Sequence, residues 1–206
     1  MSGAGQGPIA GRKRVVVFIS GSGSNMVALL NTAEKPDFPA EIIGVVSDKA
    51  AAGGLLKAAA RGVPTAVFER KDFADKAAHE AAILAYLETL SPDLLCLAGY
   101  MRLLSGAFIK RFEGRILNIH PSLLPAFPGL HTHQRAIDAG MAEAGCTVHF
   151  VTEGMDEGPV ILQARVPVLR GDTAEALAAR VLVEEHRLYA DALALVASGA
   201  VTMDRA

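Results

Sequence analysis

Val15-Val16-Val17-Phe18-Ile19-Ser20-Gly21-Ser22-Gly23-Ser24-Asn25 is the stretch that decides the fold. Its first five residues are apolar and mostly β-branched, so they offer side chains to both faces of a strand, the pattern of a strand covered on two sides in a parallel sheet. The run ends at a Gly/Ser turn, beyond which residues 25–33 read as a helix. The backbone N–H groups that open such a helix have no intrahelical acceptor and the helix dipole is positive there, so the turn is a candidate anion site. Gly23 lets the backbone approach a ligand closely, and Ser24 or Asn25 could cap the helix and donate to a phosphate. A plain turn with an N-cap would use the same residues. The Lys-Ser/Thr ending of a P-loop is missing, as is the third glycine of a dinucleotide fingerprint. The expected anion is therefore a monophosphate.

Working outward, strands and helices alternate. Ile42 to Val46 reads as a second buried strand, residues 50–61 as a helix closed by Gly62, and Thr65 to Phe68 as a short third strand. Residues 74–90 carry helical apolar spacing at Ala77, Ala81, Leu84 and Leu87 and stop before Ser91-Pro92. Leu94 to Ala98 is a further buried strand, with a short helix near 105–112, a strand from Ile116 to His120 and a proline-rich loop from Pro121 to Gly129. Two longer β-rich stretches, Cys146 to Thr152 and Val160 to Leu169, flank Glu153-Gly154-Met155-Asp156-Glu157-Gly158, and a long helix spans about 173–198. The fold class expected is α/β: an open, mostly parallel, nucleotide-binding-type (Rossmann-like) sheet with helices on both faces and an antiparallel extension in the C-terminal part. In such sheets the ligand crevice lies outside the carboxyl ends of the parallel strands. Met1 to Gly11 is expected to be a disordered leader and 12–206 a single domain.

The chain has 206 residues, 51% of them hydrophobic, and a formal net charge of −2. With no long basic run, the sequence carries no electrostatic footprint for nucleic acid or an anionic membrane. Its only cysteines, Cys96 and Cys146, each sit alone in an apolar run and read as small buried hydrophobes, which fits a reducing cytoplasm.

The chemistry concentrates in the second half. Asn118 and His120 lie two apart on a strand and so share a face, at the carboxyl end that Pro121 terminates. An amide and an imidazole placed there can both donate to one developing oxyanion, although such a pair can equally be satisfied within the fold. Asp156 sits in a glycine-flanked loop; beside His120 its charge would favour an imidazolium able to donate a proton. His131, His133 and His149 raise the possibility of a metal, but no helical i, i+4 pair or Cys/His cluster completes a ligand set. A G-x-S-x-G motif is missing and neither cysteine neighbours a histidine, so covalent catalysis lacks a candidate. The apolar segment Gly99-Tyr100-Met101-Arg102-Leu103-Leu104 leaves a strand end beside these residues, either as core or as the wall of a flat pocket.

Together, Ser20 to Asn25, Ala98-Gly99-Tyr100-Met101-Arg102, Asn118-Ile119-His120-Pro121-Ser122-Leu123-Leu124-Pro125 and Asp156-Glu157-Gly158-Pro159 resemble the folate-dependent formyltransferase family. The similarity runs in register from about Val15 to Glu184-Glu185-His186. The segment from Asn118 to Pro125 marks the whole family, including members that formylate initiator methionyl-tRNA and members that hydrolyse formylfolate. The early Gly-Ser-Gly-Ser-Asn turn marks those acting on glycinamide ribonucleotide, where it holds the substrate phosphate.

The resemblance implies that the chain moves the formyl group of 10-formyltetrahydrofolate, its co-substrate, to the amine of 5′-phosphoribosylglycinamide in de novo purine biosynthesis. It implies no metal, small-molecule substrates without nucleic acid or membrane, a cytoplasmic location, and a monomer or homodimer. Asn118, His120 and Asp156 would be catalytic, Gly23, Ser24 and Asn25 would hold phosphate, and Glu185 would meet the ribose hydroxyls. Met101, Arg102, Leu103 and Leu104 with Asn118, and Thr152, Glu153, Gly154, Met155 and Asp156, would line the folate pocket. Lys76 stands where the family has an arginine near the folate, and lysine offers a point charge instead of a bidentate fork. The alternatives are formyltetrahydrofolate hydrolysis, with water replacing the amine, and a ligand-binding protein without turnover.

Overall fold

In the computed structural model, which describes residues 11–205, every side chain from Val15 to Ile19 is fully buried. The leader expected over Met1 to Gly11 lies, Gly11 apart, outside the described residues. In chain order the elements are β1 (Lys13–Ile19), α1 (Ser24–Ala33), β2 (Ala40–Ser47), α2 (Gly53–Ala59), β3 (Thr65–Val67), α3 (Lys76–Leu90) and β4 (Leu94–Leu97). They continue as α4 (Gly106–Arg111), β5 (Ile116–His120), α5 (Thr132–Asp138), β6 (Glu143–Phe150), β7 (Val160–Pro167) and α6 (Ala174–Ala197).

One seven-stranded sheet runs in the order β3-β2-β1-β4-β5-β6-β7. Pairings from β3 through β5 are parallel, while β5–β6 and β6–β7 are antiparallel, so the extension expected from the longer β-rich stretches is present. The two-residue period of β1 divides the interior. Val15, Val17 and Ile19 join the core that includes Met26 and Leu29 of α1 and Leu177, Val181 and Tyr189 of α6. Val16 and Phe18 join the core that includes Ile83 and Leu87 of α3 and Phe108 of α4. Helices therefore cover both faces, and each fully buried large apolar side chain stabilises the fold by about 1.5–3 kcal/mol.

The chain goes from β1 outward to β2 and β3, then returns to place β4 on the other side of β1. Between β1 and β4 the strand order reverses, and the loops leaving their carboxyl ends diverge to open a crevice there. Ser20 to Asn25 follows β1 and Gly99 to Leu104 follows β4, so topology alone brings the two quoted segments together. Tyr189, fully buried on α6, pins this region: its hydroxyl lies 3.0 Å from the Leu97 carbonyl oxygen and 3.1 Å from that of Leu117, and donates to this pair.

Three details depart from the sequence reading. The buried face of α3 is His79, Glu80, Ile83 and Leu87, while Ala77 and Ala81 are exposed. Alanine carries too little apolar surface to dictate a face, whereas His79 holds the Phe68 carbonyl at 2.8 Å and Glu80 accepts from the Ser105 backbone N–H at 2.8 Å. Helix α5 lies within 130–140, a region the periodicity leaves unassigned; it is short and buries only Thr132 and Ala136. Finally, α1 is entered through Gly23, and neither Ser24 nor Asn25 caps it.

Candidate active site

A cleft of about 490 Å³ opens at the switch point. Asn25, Met101, Arg102, Leu103, Asn118, His120, Met155, Asp156 and Glu185 all contribute to its lining. Asn118 and His120 point from the end of β5, where β6 pairs Asn118 with His149 and His120 with Thr147. The Pro-rich loop that follows is held by side chains of β6 and β7. Thr147 donates to the Ser122 carbonyl at 2.7 Å and accepts from the Leu124 N–H at 3.1 Å, while Gln163 donates to the Leu124 carbonyl at 2.8 Å.

This anchoring fixes His120. Its Nε2–H donates to the Phe127 carbonyl at 3.0 Å, and Nδ1 faces Asp156 Oδ2 at 3.4 Å. Phe127 and Asp156 both hold left-handed backbone, at φ 53° and 56°. For the bulky Phe127 this conformation costs about 1–2 kcal/mol, whereas a short polar side chain such as that of Asp156 tolerates it. The Asp156 carboxylate is additionally steadied by the Gly129 N–H, which donates to Oδ2 at 2.9 Å. His149 lies beneath, with Nε2 at 3.2 Å from the Asn118 amide nitrogen and 3.8 Å from Asp156 Oδ1. Burial pushes the basicity of His149 down, partly countered by its bond to the Phe150 carbonyl and by the Asp156 charge.

At the other end of the cleft, the Gly21–Asn25 turn leads into α1, and its last residue, Asn25, lines the cleft. Gly23 adopts φ 70°, and a Cβ there would come within 2.9 Å of the Gly54 Cα. Both constraints select glycine. Lys57 reaches the turn and donates to the Ser22 carbonyl at 2.9 Å. Asn25 donates to Glu185 Oε2 at 2.6 Å, and the buried amide oxygen of Asn25 has no hydrogen-bond partner among the described residues. Burial raises the Glu185 carboxyl above its ordinary range, and the Asn25 bond offsets part of that rise.

A network that the sequence reading missed ties the two loops together. Asp48, whose side chain is 1% exposed at the end of β2, accepts from Ser20 Oγ at 2.5 Å and from Arg102 Nε at 2.7 Å. Ser20 Oγ in turn accepts from the Met101 N–H at 2.8 Å. Only a sheet topology connects residues so distant in sequence, and in the strand-turn context Asp48 reads as an ordinary turn residue.

Not every expected residue reaches the cleft. Lys76 and Leu104 line an adjoining hollow of about 300 Å³ with Arg70, His79 and Glu80, where Lys76 lies 3.8 Å from Glu80. Thr152 and Glu153 line a separate hollow beside Ile109 and Lys110. The chain leaves β6 alongside Ile116, whose carbonyl accepts from Val151 N–H at 2.9 Å, passes α4 and then folds back, so Met155 and Asp156 return to β5. Gly23, Ser24 and Gly154 lie outside the lining of the main cleft. Met101, Leu103, Leu130 and Met155 are exposed at the cleft and form an apolar rim. Among the described residues, no three His, Cys, Asp or Glu side chains are grouped so as to hold a metal ion, and no helix is long and apolar enough to cross a membrane.

An α/β sheet with a Gly/Ser turn at one end of its crevice and an amide–imidazole–carboxylate group at the other defines the class, and the chain belongs to the formyl transferase family, whose model matches residues 13–193. Within that family it is 47% identical over 177 residues to the phosphoribosylglycinamide formyltransferase of Haemophilus influenzae, covering 86% of this chain and 84% of that one. The crystal structure of phosphoribosylglycinamide formyltransferase from Brucella melitensis superposes with a TM-score of 0.88 at 70% identity, over 92% of this chain and 98% of the other. The trifunctional purine biosynthetic protein adenosine-3 of Bos taurus is 50% identical over 192 residues, 93% of this chain but 19% of that protein. The chain thus spans between about a seventh and a fifth of the length of such trifunctional relatives.

Proposed function

We propose that this chain transfers the formyl group of 10-formyltetrahydrofolate to the amino group of 5′-phosphoribosylglycinamide, a step of purine biosynthesis, in the cytoplasm and as a single domain over 12–206. The observation that carries the reading is the convergence of Asn118, His120 and Asp156 on one wall of a cleft whose other wall holds Asn25 and Glu185. A phosphorylated amine fits with its phosphate on the Gly23–Asn25 turn and its ribose hydroxyls against Glu185 and the unpartnered Asn25 oxygen. The apolar rim of Met101, Leu103 and Met155 suits the flat ring of a folate, and Lys76 in the adjoining hollow suits the anionic end of that co-substrate.

The residues present then account for the chemistry. The amine nitrogen attacks the formyl carbon, and Asn118 and the Nδ1–H of His120, whose Nε2–H is held by the Phe127 carbonyl, donate to the oxygen as it gains charge. Asp156, which faces His120 Nδ1 across 3.4 Å, helps through water to move the proton from the attacking amine to the departing folate nitrogen. The carbon–nitrogen bond to the folate breaks as the new amide forms. Placing both reactants in one cleft supplies much of the remaining acceleration.

The test is to incubate the protein with 10-formyltetrahydrofolate, with and without glycinamide ribonucleotide, following deformylated folate by absorbance and the product by mass. Formylglycinamide ribonucleotide formed only in the complete mixture is the expected result. Equal folate release without the ribonucleotide would replace transfer with hydrolysis, and tight binding with no release would leave a binding protein. A second expectation concerns the phosphate turn. Gly23→Ala forces a side chain into left-handed backbone at a cost of about 1–2 kcal/mol before the clash with Gly54, so the melting midpoint should fall by roughly 2–8 °C. The KM for the ribonucleotide should rise while that for the folate stays close to wild type; the reverse pattern would move the phosphate elsewhere.

A further inference from the structure

His149 was singled out in the sequence only as one of several histidines, and the mechanism above does not use it. It is 2% exposed, on β6, directly opposite Asn118 in the antiparallel ladder. Its Nδ1 lies 2.8 Å from the Phe150 carbonyl oxygen. A carbonyl only accepts, so Nδ1 must carry the proton, and in the neutral ring Nε2 is left bare. The atom 3.2 Å from that bare nitrogen is Nδ2 of Asn118, which donates to it. The backbone of Phe150 thus selects the tautomer of His149, and the tautomer selects which end of the Asn118 amide turns inward.

We infer that His149 is a positioning residue, which holds the Asn118 side chain with its NH2 group fixed and its second N–H free to donate to the formyl oxygen. A flipped amide would place oxygen against the bare imidazole nitrogen, two acceptors facing each other, so the alternative orientation is excluded. The charged and titratable groups that face the ring are Asp156, with Oδ1 at 3.8 Å, and His120. Burial, which comes first among the influences on this ring, and the nearby His120 both oppose protonation, while the bond to the Phe150 carbonyl and the Asp156 charge favour it, with the net shift downward. A protonated ring would offer Nε2–H toward Asp156 and lose its hold on Asn118, so the neutral ring is the working form. The consequence for catalysis rests on the formyl-transfer reading; the contact itself does not.

Two isosteric variants separate this role from simple packing. His149→Gln places an acceptor where Nε2 was, and His149→Asn keeps a donor for the Phe150 carbonyl but leaves Asn118 without its acceptor. We expect His149→Asn to lower kcat on the order of 10–100-fold with the folate Kd changed by less than about threefold, and His149→Gln to recover most of the loss. In parallel, the Asn118 side-chain NH2, selectively labelled and followed by NMR without substrate, should exchange ~5-fold faster in the Asn variant than in wild type or the Gln variant. Wild-type kcat in His149→Asn, equal losses in both variants, or an Asn118 amide indifferent to residue 149 would each overturn the assignment. A wild-type protein that makes no ribonucleotide-dependent product would instead overturn the formyl-transfer reading, and the exchange measurement would still decide what His149 does.

Discussion

Replacing Asn118 with alanine is expected to lower turnover ~100–1000-fold while folate affinity stays close to wild type, the range found when one preorganised oxyanion donor is removed from an acyl-transfer site. Such a donor acts mainly after charge has begun to build on the oxygen, so its loss appears in kcat rather than in ground-state binding. The half-buried Asn118 sits at the end of a strand paired on both sides, which keeps it in place without a ligand. Its removal also leaves Nε2 of buried His149 without its partner, so a modest loss of stability accompanies the loss of rate. Single-turnover kinetics with saturating substrates, together with a titration of folate binding by fluorescence, separates the two effects. Turnover within about threefold of wild type would remove Asn118 from the chemistry.

A comparable loss, ~100-fold or more, is expected for Asp156→Asn. The substitution is almost free of steric consequence. Asparagine tolerates the left-handed backbone held at φ 56°, and its amide oxygen can still accept from the Gly129 N–H now bonded at 2.9 Å. What disappears is the negative charge that faces His120 Nδ1 across 3.4 Å and His149 Nε2 across 3.8 Å. The melting midpoint should therefore move by no more than about 3 °C while kcat collapses. An Asp156→Asn enzyme retaining more than about a third of wild-type kcat would show that the charge does not serve His120 in proton transfer.

The parallel half of the fold was open to sequence reading because each strand of it is an apolar run bounded by turn residues. The strands read at Val15 to Ile19, Leu94 to Ala98 and Ile116 to His120 stand where the reading places them to within two residues, β1 beginning at Lys13. The antiparallel strands were located but shifted: β6 begins at Glu143 and not at Cys146, because Glu143, Ala144 and Gly145, which pair with Arg165 to Pro167, are one charged and two small residues and carry little apolar signal even though the last two are buried. Helix α5 escaped because a seven-residue helix with two buried side chains has no period to detect. Within the site, Asn118 and His120 were legible as a same-face pair on a strand, which is a local relation. Asp48 was not, since its two partners lie on other strands' loops. Glu185 entered only through family resemblance, because nothing along α6 marks one glutamate as the residue that reaches Asn25 from 160 positions away.

Tyr189 follows Glu185 by four residues on α6, so both side chains project from the same stripe of that helix. Its hydroxyl is fastened to the strand carbonyls at Leu97 and Leu117, one of them immediately before Asn118. The span from the carboxylate at one end of the cleft to the amide at the other is thereby set by a rigid gauge, a single helical turn locked against the sheet. On the formyl-transfer reading proposed above, a ligand whose sugar and reactive amine were separated by the wrong distance would be refused by the frame itself, however well its two ends would fit one at a time.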